Sequence, residues 1–141
     1  MLSVHSTSVE LEGVPTEIVV QGFADCILVL VTQVGKVGNL IQASMPLTIP
    51  LDLDSTNTTL PAPPAAIQLT PLLGGAPSEH LHTLHSLYAS QIATIIWVSE
   101  AKKMDIKRRN VVVGIALHRD ADADERKTFL GVMDHLYQLV K

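Results

Sequence analysis

Apolar and polar positions alternate along the amino-terminal part of the chain. Val9 and Leu11 alternate with glutamates, and after Gly13 the stretch from Thr16 to Gln21 sets Ile18 and Val20 against Glu17, Val19 and Gln21. Alternation with a period of two is typical of strands that have one wet face. The pattern therefore predicts two short strands separated by a turn.

Two later segments are apolar without interruption. Residues Cys26 to Val31 and Val111 to Leu117 are rich in β-branched side chains and are too short for helices. Such runs are typical of strands that are covered on both faces. Both segments are predicted to be central strands.

Glycines mark the connection that follows the first of these runs. Gly35 and Gly38 bracket a short segment, which predicts a hairpin that returns the chain as a strand over Asn39 to Met45. Such a hairpin makes neighbouring strands antiparallel. Ala66 to Leu73 resumes an extended pattern that Pro71 interrupts.

Helical spacing occurs in the second half of the chain. From Leu81 to Ile95 apolar residues recur at steps of three and four, with Ser78 placed to cap the helix and an end expected near Glu100. A last helix begins among acidic residues that suit its positive end. The apolar face predicted for this last helix consists of Phe129, Met133, Leu136, Tyr137 and Val140.

The segment from Pro46 to Pro64 has a different composition. It contains five of the eight prolines together with a Ser-Thr-Asn-Thr-Thr run, so it offers few donors to a sheet and little to bury. We expect a surface loop, and connections of this length inside a compact domain are usually functional or disordered.

These elements predict an α+β fold. The 141 residues fit one domain, residues 1–141, built as a single antiparallel sheet with two amphipathic helices on one face. The helices leave the other face of the two apolar strands uncovered. Four wet aliphatic side chains forgo roughly 6–12 kcal/mol, comparable with the net stability of a domain. We therefore expect a second sheet to pack on that face.

Charge is distributed unevenly. The net charge is −4 at pH 7, and Lys36 is the only Lys or Arg before Lys102. This balance disfavours polyanion binding by bulk charge. A basic segment from Lys102 to Arg109 keeps nucleic-acid binding as an alternative, although no aromatic residue interleaves its cations for base stacking.

Candidate chemistry is sparse. On a helix His82 and His85 share a face from which His80 points away, so a three-histidine zinc site is awkward. A small metal-binding or enzymatic protein that uses the His80–His85 region remains the alternative function. Cys26 is expected to be a core thiol with a raised pKa. No cofactor or catalytic residue is predicted.

The location of the protein is inferred from what the sequence lacks. A single cysteine excludes an intramolecular disulfide, and neither a secretory signal nor a membrane-length apolar run is present. We expect a cytoplasmic and nuclear protein that contacts neither membrane nor nucleic acid.

From Gly13 the string GVPTEIVVQGFADCILVLVTQVGKVGNLI resembles the amino-terminal half of the proteasome assembly chaperone 3 family, and the similarity continues more weakly to the strand at Val111. The resemblance implies a noncatalytic chaperone that promotes α-ring formation of the 20S proteasome. It also implies sheet-to-sheet pairing with the fourth assembly chaperone, or with a second copy.

The resemblance also suggests where partners bind. In the family a mobile loop contacts proteasome α subunits, and that loop falls at Pro46 to Pro64 here. Asp52 and Asp54 are the expected electrostatic contacts in this loop, and charges at an interface rim mainly affect association rate and salt dependence. The remaining partner-binding residues predicted are Lys36, Leu28 and Leu30.

Overall fold

The computed structural model describes residues 3–33, 38–48, 61, 63–76, 78–103, 108–117 and 124–140. Within these ranges the fold is α+β, as predicted, with six strands and two helices. In chain order they are β1 (Ser3–Leu11), β2 (Val14–Gly22), β3 (Cys26–Thr32), β4 (Asn39–Ser44), β5 (Gln68–Leu73), α1 (Glu79–Lys103), β6 (Asn110–Ala116) and α2 (Glu125–Val140).

The strands form one sheet in the order β1-β2-β3-β6-β4-β5. All neighbouring pairs are antiparallel except β3 and β6, which are parallel. The prediction of a purely antiparallel sheet is therefore wrong at its centre. The expected hairpin between β3 and β4 is also wrong, because β6 lies between them. These two parallel central strands are the two continuous apolar runs, which agrees with the usual composition of parallel strands.

The β1–β2 hairpin matches the sequence pattern closely. Its two-residue turn consists of Glu12 and Gly13, with φ angles of 50° and 78°. Positive φ at both central positions belongs to the turn whose twist matches that of the flanking strands. The turn also fixes the register in which Leu11 faces Val14 and Val9 faces Thr16.

One face of the sheet forms the core. Alternate residues of the central strands are fully buried there, beginning with Ile18 of β2 and Val29 of β3. Both helices pack on this face, as predicted: α1 contacts β4, β5 and β6, and α2 contacts β1. The largest completely buried side chains are Tyr88, Ile18, Ile92, Ile95, Ile115, Met133, Leu136, Val29, Val31, Val111, Val113 and Val132.

Helix α1 begins at the predicted cap. The hydroxyl oxygen of Ser78 accepts a hydrogen bond from the backbone nitrogen of Leu81 at 3.2 Å. Only the first half of α1 has one buried and one exposed face, as predicted. In the second half every residue from Gln91 to Val98 is buried. Other chain segments contact the second half of the helix: Gln91 Nε2 donates to the carbonyl oxygen of Pro61 at 2.8 Å.

Helix α2 is capped by Asp124, whose Oδ1 accepts from the backbone nitrogens of Arg126 and Lys127 at 3.0 and 3.3 Å. Its buried residues are Thr128, Val132, Met133, Leu136 and Val140. Tyr137 was expected on this face, but its side chain is 45% exposed. Successive residues of a helix are rotated by about 100°. The side chain of Tyr137 therefore points away from the core when that of Leu136 points into it. No helix of the described residues is long and apolar enough to cross a membrane.

Candidate partner-binding surface

The sheet face opposite the helices is called the open face here. Strand register places on it the alternate residues that are not directed to the core, and neither described helix packs against it. Its apolar centre consists of Val19, Leu28, Leu30, Leu40, Val112 and Ala116, around Gly114.

Leu28 and Leu30 lie in the middle of the open face. Leu28 is opposite Gln21 of β2 and Val112 of β6, and Leu30 is opposite Val19 and Gly114. Both leucines are half-buried, whereas the intervening Val29 is completely buried. Gly114 has no side chain with which to cover Leu30, so a partner could pack against that leucine closely. Partner contact by Leu28 and Leu30 stays a prediction.

The other predicted partner residues belong to two segments, one after β3 and one within Pro46–Pro64. Lys36, Asp52 and Asp54 lie outside the described residues. The described parts of the Pro46–Pro64 segment form neither helix nor strand. Near the carboxyl end of this segment, the Pro61 carbonyl oxygen accepts a hydrogen bond from Gln91 of helix α1, and this bond attaches that end of the segment to the helix.

The three clustered histidines do not converge. Nε2 of His80 lies 2.8 Å from the Glu125 carboxylate at the beginning of α2, and both side chains are exposed. His85 is instead buried against Asn39 of β4, with 3.1 Å between His85 Nδ1 and Asn39 Nδ2. Among the described residues no group of three His, Cys, Asp or Glu side chains could hold a metal ion.

Burial lowers the pKa of His85 below its ordinary value, and the nearby His82 adds to this effect. A neutral ring is therefore favoured at this position. The His85 ring belongs to helix α1 and contacts the first residue of β4, so its role is structural. The sequence gives no sign of this contact, because its two partners are 46 positions apart.

Cys26 is half-buried at one end of β3 on the open face, so its expected place in the core is wrong. Burial raises the pKa of the Cys26 thiol, and the charge and hydrogen bond of Asp25 raise it further, with Arg109 acting in the opposite direction. The thiol is consequently less reactive than its exposure alone suggests.

The basic segment contributes to internal packing. Arg109 donates from its guanidinium to the carbonyl oxygen of Phe23 and pairs with Glu100. Its own carbonyl oxygen accepts from Trp97 Nε1 at 2.7 Å. Arg108 Nη1 donates to the Pro46 carbonyl at 2.8 Å, and its guanidinium lies 5.8 Å from the Trp97 ring centroid. Arg108 and Arg109 are two of the five cations in the segment considered for nucleic-acid binding. Both therefore take part in contacts within the fold.

No protein-family model and no curated protein sequence matches this chain. Among solved structures, the fold is similar to a chain in the crystal structure of a chaperone complex for yeast 20S proteasome assembly. The TM-score is 0.55 at 13% identity, and the similarity covers 99% of both chains. At that identity the likeness shows a shared fold, extending from one end of the chain to the other.

Proposed function

We propose that this chain is a noncatalytic chaperone of 20S proteasome assembly. The observation that carries the proposal is the apolar open face, in a fold shared over 99% of its length with a chain of a proteasome assembly chaperone complex. The sequence resemblance from Gly13 to Ile41 points to the same role. We further propose a heterodimer with the fourth assembly chaperone that promotes α-ring formation in the cytoplasm and nucleus.

Physical chemistry supports a sheet as the partner. A specific interface buries about 800 Å² on each side, and its centre is usually apolar with a polar rim. The open face has this composition, since Leu28, Leu30 and Val112 lie centrally and Gln42 and Thr70 lie toward one edge. Two sheets that pack face to face bury such surfaces at a spacing of about 10 Å.

The open face is tested by affinity capture of the tagged chain, followed by mass spectrometry. We expect wild type to recover proteasome α subunits and a sister chaperone of similar size, with few mature β subunits. Leu30→Asp should lose the sister chaperone, because a carboxylate without a partner is costly to bury. Leu87→Asp is the matched control, since Leu87 is 55% exposed on helix α1 and lies away from the open face.

Two results would contradict these proposals. Equal recovery of the sister chaperone by Leu30→Asp and wild type would reject the open face as the binding surface. Capture without any proteasome subunit would reject the chaperone role itself. Thermal unfolding of each variant establishes that a lost partner does not reflect a lost fold.

Contact with α subunits is proposed for the loop within Pro46–Pro64. Replacing residues 49–60 by a Gly-Ser linker retains Pro61, whose carbonyl bonds to Gln91. This variant should capture fewer α subunits and the same amount of sister chaperone. Asp52→Asn with Asp54→Asn should mainly lower the association rate at low salt. Unchanged capture of α subunits by the linker variant would reject the loop assignment.

A further inference from the structure

The outer edge of strand β1 carries a regular row of backbone groups. β1 is an edge strand of the sheet, and its nine pairs with β2 show no shift in register. The turn at Glu12 and Gly13 makes Leu11 and Val14 a hydrogen-bonded pair, and pairs with and without hydrogen bonds alternate from there. Four residues therefore direct their N–H and C=O groups away from β2: Val4, Ser6, Ser8 and Glu10. These groups are called the β1 edge.

The β1 edge is unpaired in the part of the chain that the structure describes. None of its backbone groups takes part in a hydrogen bond there, and all four residues are exposed. Each residue has one backbone donor and one acceptor. The edge therefore offers hydrogen bonds at the spacing of a strand, which makes it a template for one more strand.

The opposite edge of the sheet is protected in ways that β1 is not. β5 contains Pro71, which has no N–H, and its pairing with β4 shifts register between Leu40 and Ile41. Proline, short length and irregular register are usual devices that keep an edge strand from pairing. β1 has nine residues against six in β5, and it contains neither proline nor lysine. Of these two edges, β1 is the one suited to pairing.

A recess of about 290 Å³ lies on the helix side of the same strand. Its floor includes Val20, Ile27 and Ile96, which are at most 7% exposed. The exposed His5 lies on one side of its mouth, and the half-buried ion pair of Glu100 and Arg109 lies on the other. The recess is thus apolar inside and polar at its rim.

The recess is next to the β1 edge. His5 is directly opposite the buried Val20, so its side chain is on the helix side. A strand added to the β1 edge places the residue opposite His5 on that same side, beside the mouth of the recess. A whole small molecule usually takes a pocket of about 300–1,000 Å³. The smaller recess suits one large apolar side chain.

We propose that the β1 edge takes an extended segment of another protein as an additional strand, with one large apolar side chain of that segment in the recess beside His5. In this mode of binding main-chain hydrogen bonds give affinity and side-chain pockets give specificity. A second copy fits less well, because full-length antiparallel pairing of two β1 strands puts Val9 opposite His5, and valine is too short to fill the recess. The inference does not depend on the proposed function.

The probe is a library of random nine-residue peptides, displayed on phage and selected on the purified chain. Enriched peptides should have one large apolar residue at a fixed position. Ser6→Pro removes an outward N–H and leaves the hydrogen bonds between β1 and β2 in place. It should weaken binding of these peptides at least about tenfold. Ser6→Thr is the matched control, which keeps the N–H and should bind like wild type.

The recess is tested by filling it from β2. Gly22 lines the recess, two residues after Val20 and on the same face of β2. Gly22→Val should weaken peptide binding about tenfold, and Gly22→Ala should have a smaller effect. Thermal unfolding establishes that each variant is folded.

Amide hydrogen exchange gives a readout that needs no substitution. In the free chain the amides of Ser6 and Ser8 should exchange much faster than those of His5 and Thr7, which are bonded to β2. A bound peptide should slow the exchange of Ser6 and Ser8. Unchanged exchange at these two positions would overturn the inference.

The remaining outcomes are equally decisive. Selected peptides should bind Leu30→Asp as tightly as wild type, which separates the β1 edge from the open face. Equal affinity for wild type and Ser6→Pro, or a selection that enriches no peptide, would overturn the inference. If Gly22→Val alone binds like wild type, the edge stands and the recess is rejected. A wild-type self-dimer that Ser6→Pro dissociates in sedimentation would reject the partner segment in favour of a second copy.

Discussion

Asn39 Nδ2 and His85 Nδ1 lie 3.1 Å apart in the interior, joining the first residue of β4 to helix α1. Both residues are only 7% exposed, and Asn39 Oδ1 has no hydrogen-bond partner among the described residues. The amide donates to the bare ring nitrogen, which requires that the ring be neutral. Protonation would place an N–H against the amide N–H and oppose this packing.

Acid should therefore destabilise the fold through His85. Its pKa is lowered from 6.5 by burial and by His82, so the unfolded chain takes up the proton more readily. The stability that this ring contributes is complete above pH 6.5 and is lost as pH falls from there toward the lower folded-state pKa. Urea unfolding across this range should show a smaller decline for His85→Gln than for wild type. His82→Gln, one turn away and exposed, should keep most of the wild-type decline. Equal slopes for all three proteins would contradict the prediction.

Gly38 should tolerate no side chain. Its φ is +71°, and a Cβ there would lie 2.1 Å from the carbonyl oxygen of Ile115 on β6. Gly38→Ala should destabilise the chain by more than about 3 kcal/mol, since strain and displacement of β4 from β6 add. Gly13→Ala is the control, with φ +78° and open space around it, and should cost about 1 kcal/mol. Urea midpoints compare the two, and similar losses would reject the steric argument.

Adjacent residues of β3 should differ in what they stabilise. Val29 is completely buried beneath the helices, whereas Leu30 is half-buried on the open face. In the isolated chain, Val29→Ala should cost about 2 kcal/mol and Leu30→Ala about 1 kcal/mol or less. The order should reverse for partner binding, where Leu30→Ala has the larger effect. Denaturant unfolding and partner titration measure the two quantities. If Val29→Ala and Leu30→Ala lost equal amounts of stability and equal amounts of partner affinity, the two faces of β3 would be covered alike.

Local sequence patterns predict the elements well because their causes are local. Alternation locates β1 and β2, the continuous apolar runs locate β3 and β6, and helical spacing locates α1. The order of strands has a different cause. Glycines after β3 indicate that the chain reverses, but they do not determine whether the next strand pairs with β3 or leaves room for β6, a strand that arrives much later.

The candidate site was likewise predictable only where its features depend on local sequence. The apolar character of Leu28 and Leu30 on a strand apolar on both sides predicts an uncovered face. The polar residues of the open face needed the register, because the β1–β2 pairing is what brings Glu10 and Glu17 to one face. The roles of Arg109 and His85 depend on partners distant in sequence, such as Phe23 and Asn39, for which no spacing rule exists.

Cys26 provides a probe of the open face that needs no substitution there. Its raised pKa, due first to burial and then to Asp25, should make it react with a thiol reagent at neutral pH more slowly than a free cysteine. Asp25→Asn should accelerate the reaction by removing the neighbouring negative charge. Because Cys26 lies on the same face as Leu28, binding of the partner sheet should slow its labelling further. Leu30→Asp, which we expect to prevent that binding, should abolish the additional protection. Labelling that is unchanged when the partner is bound would place the contact elsewhere on the protein.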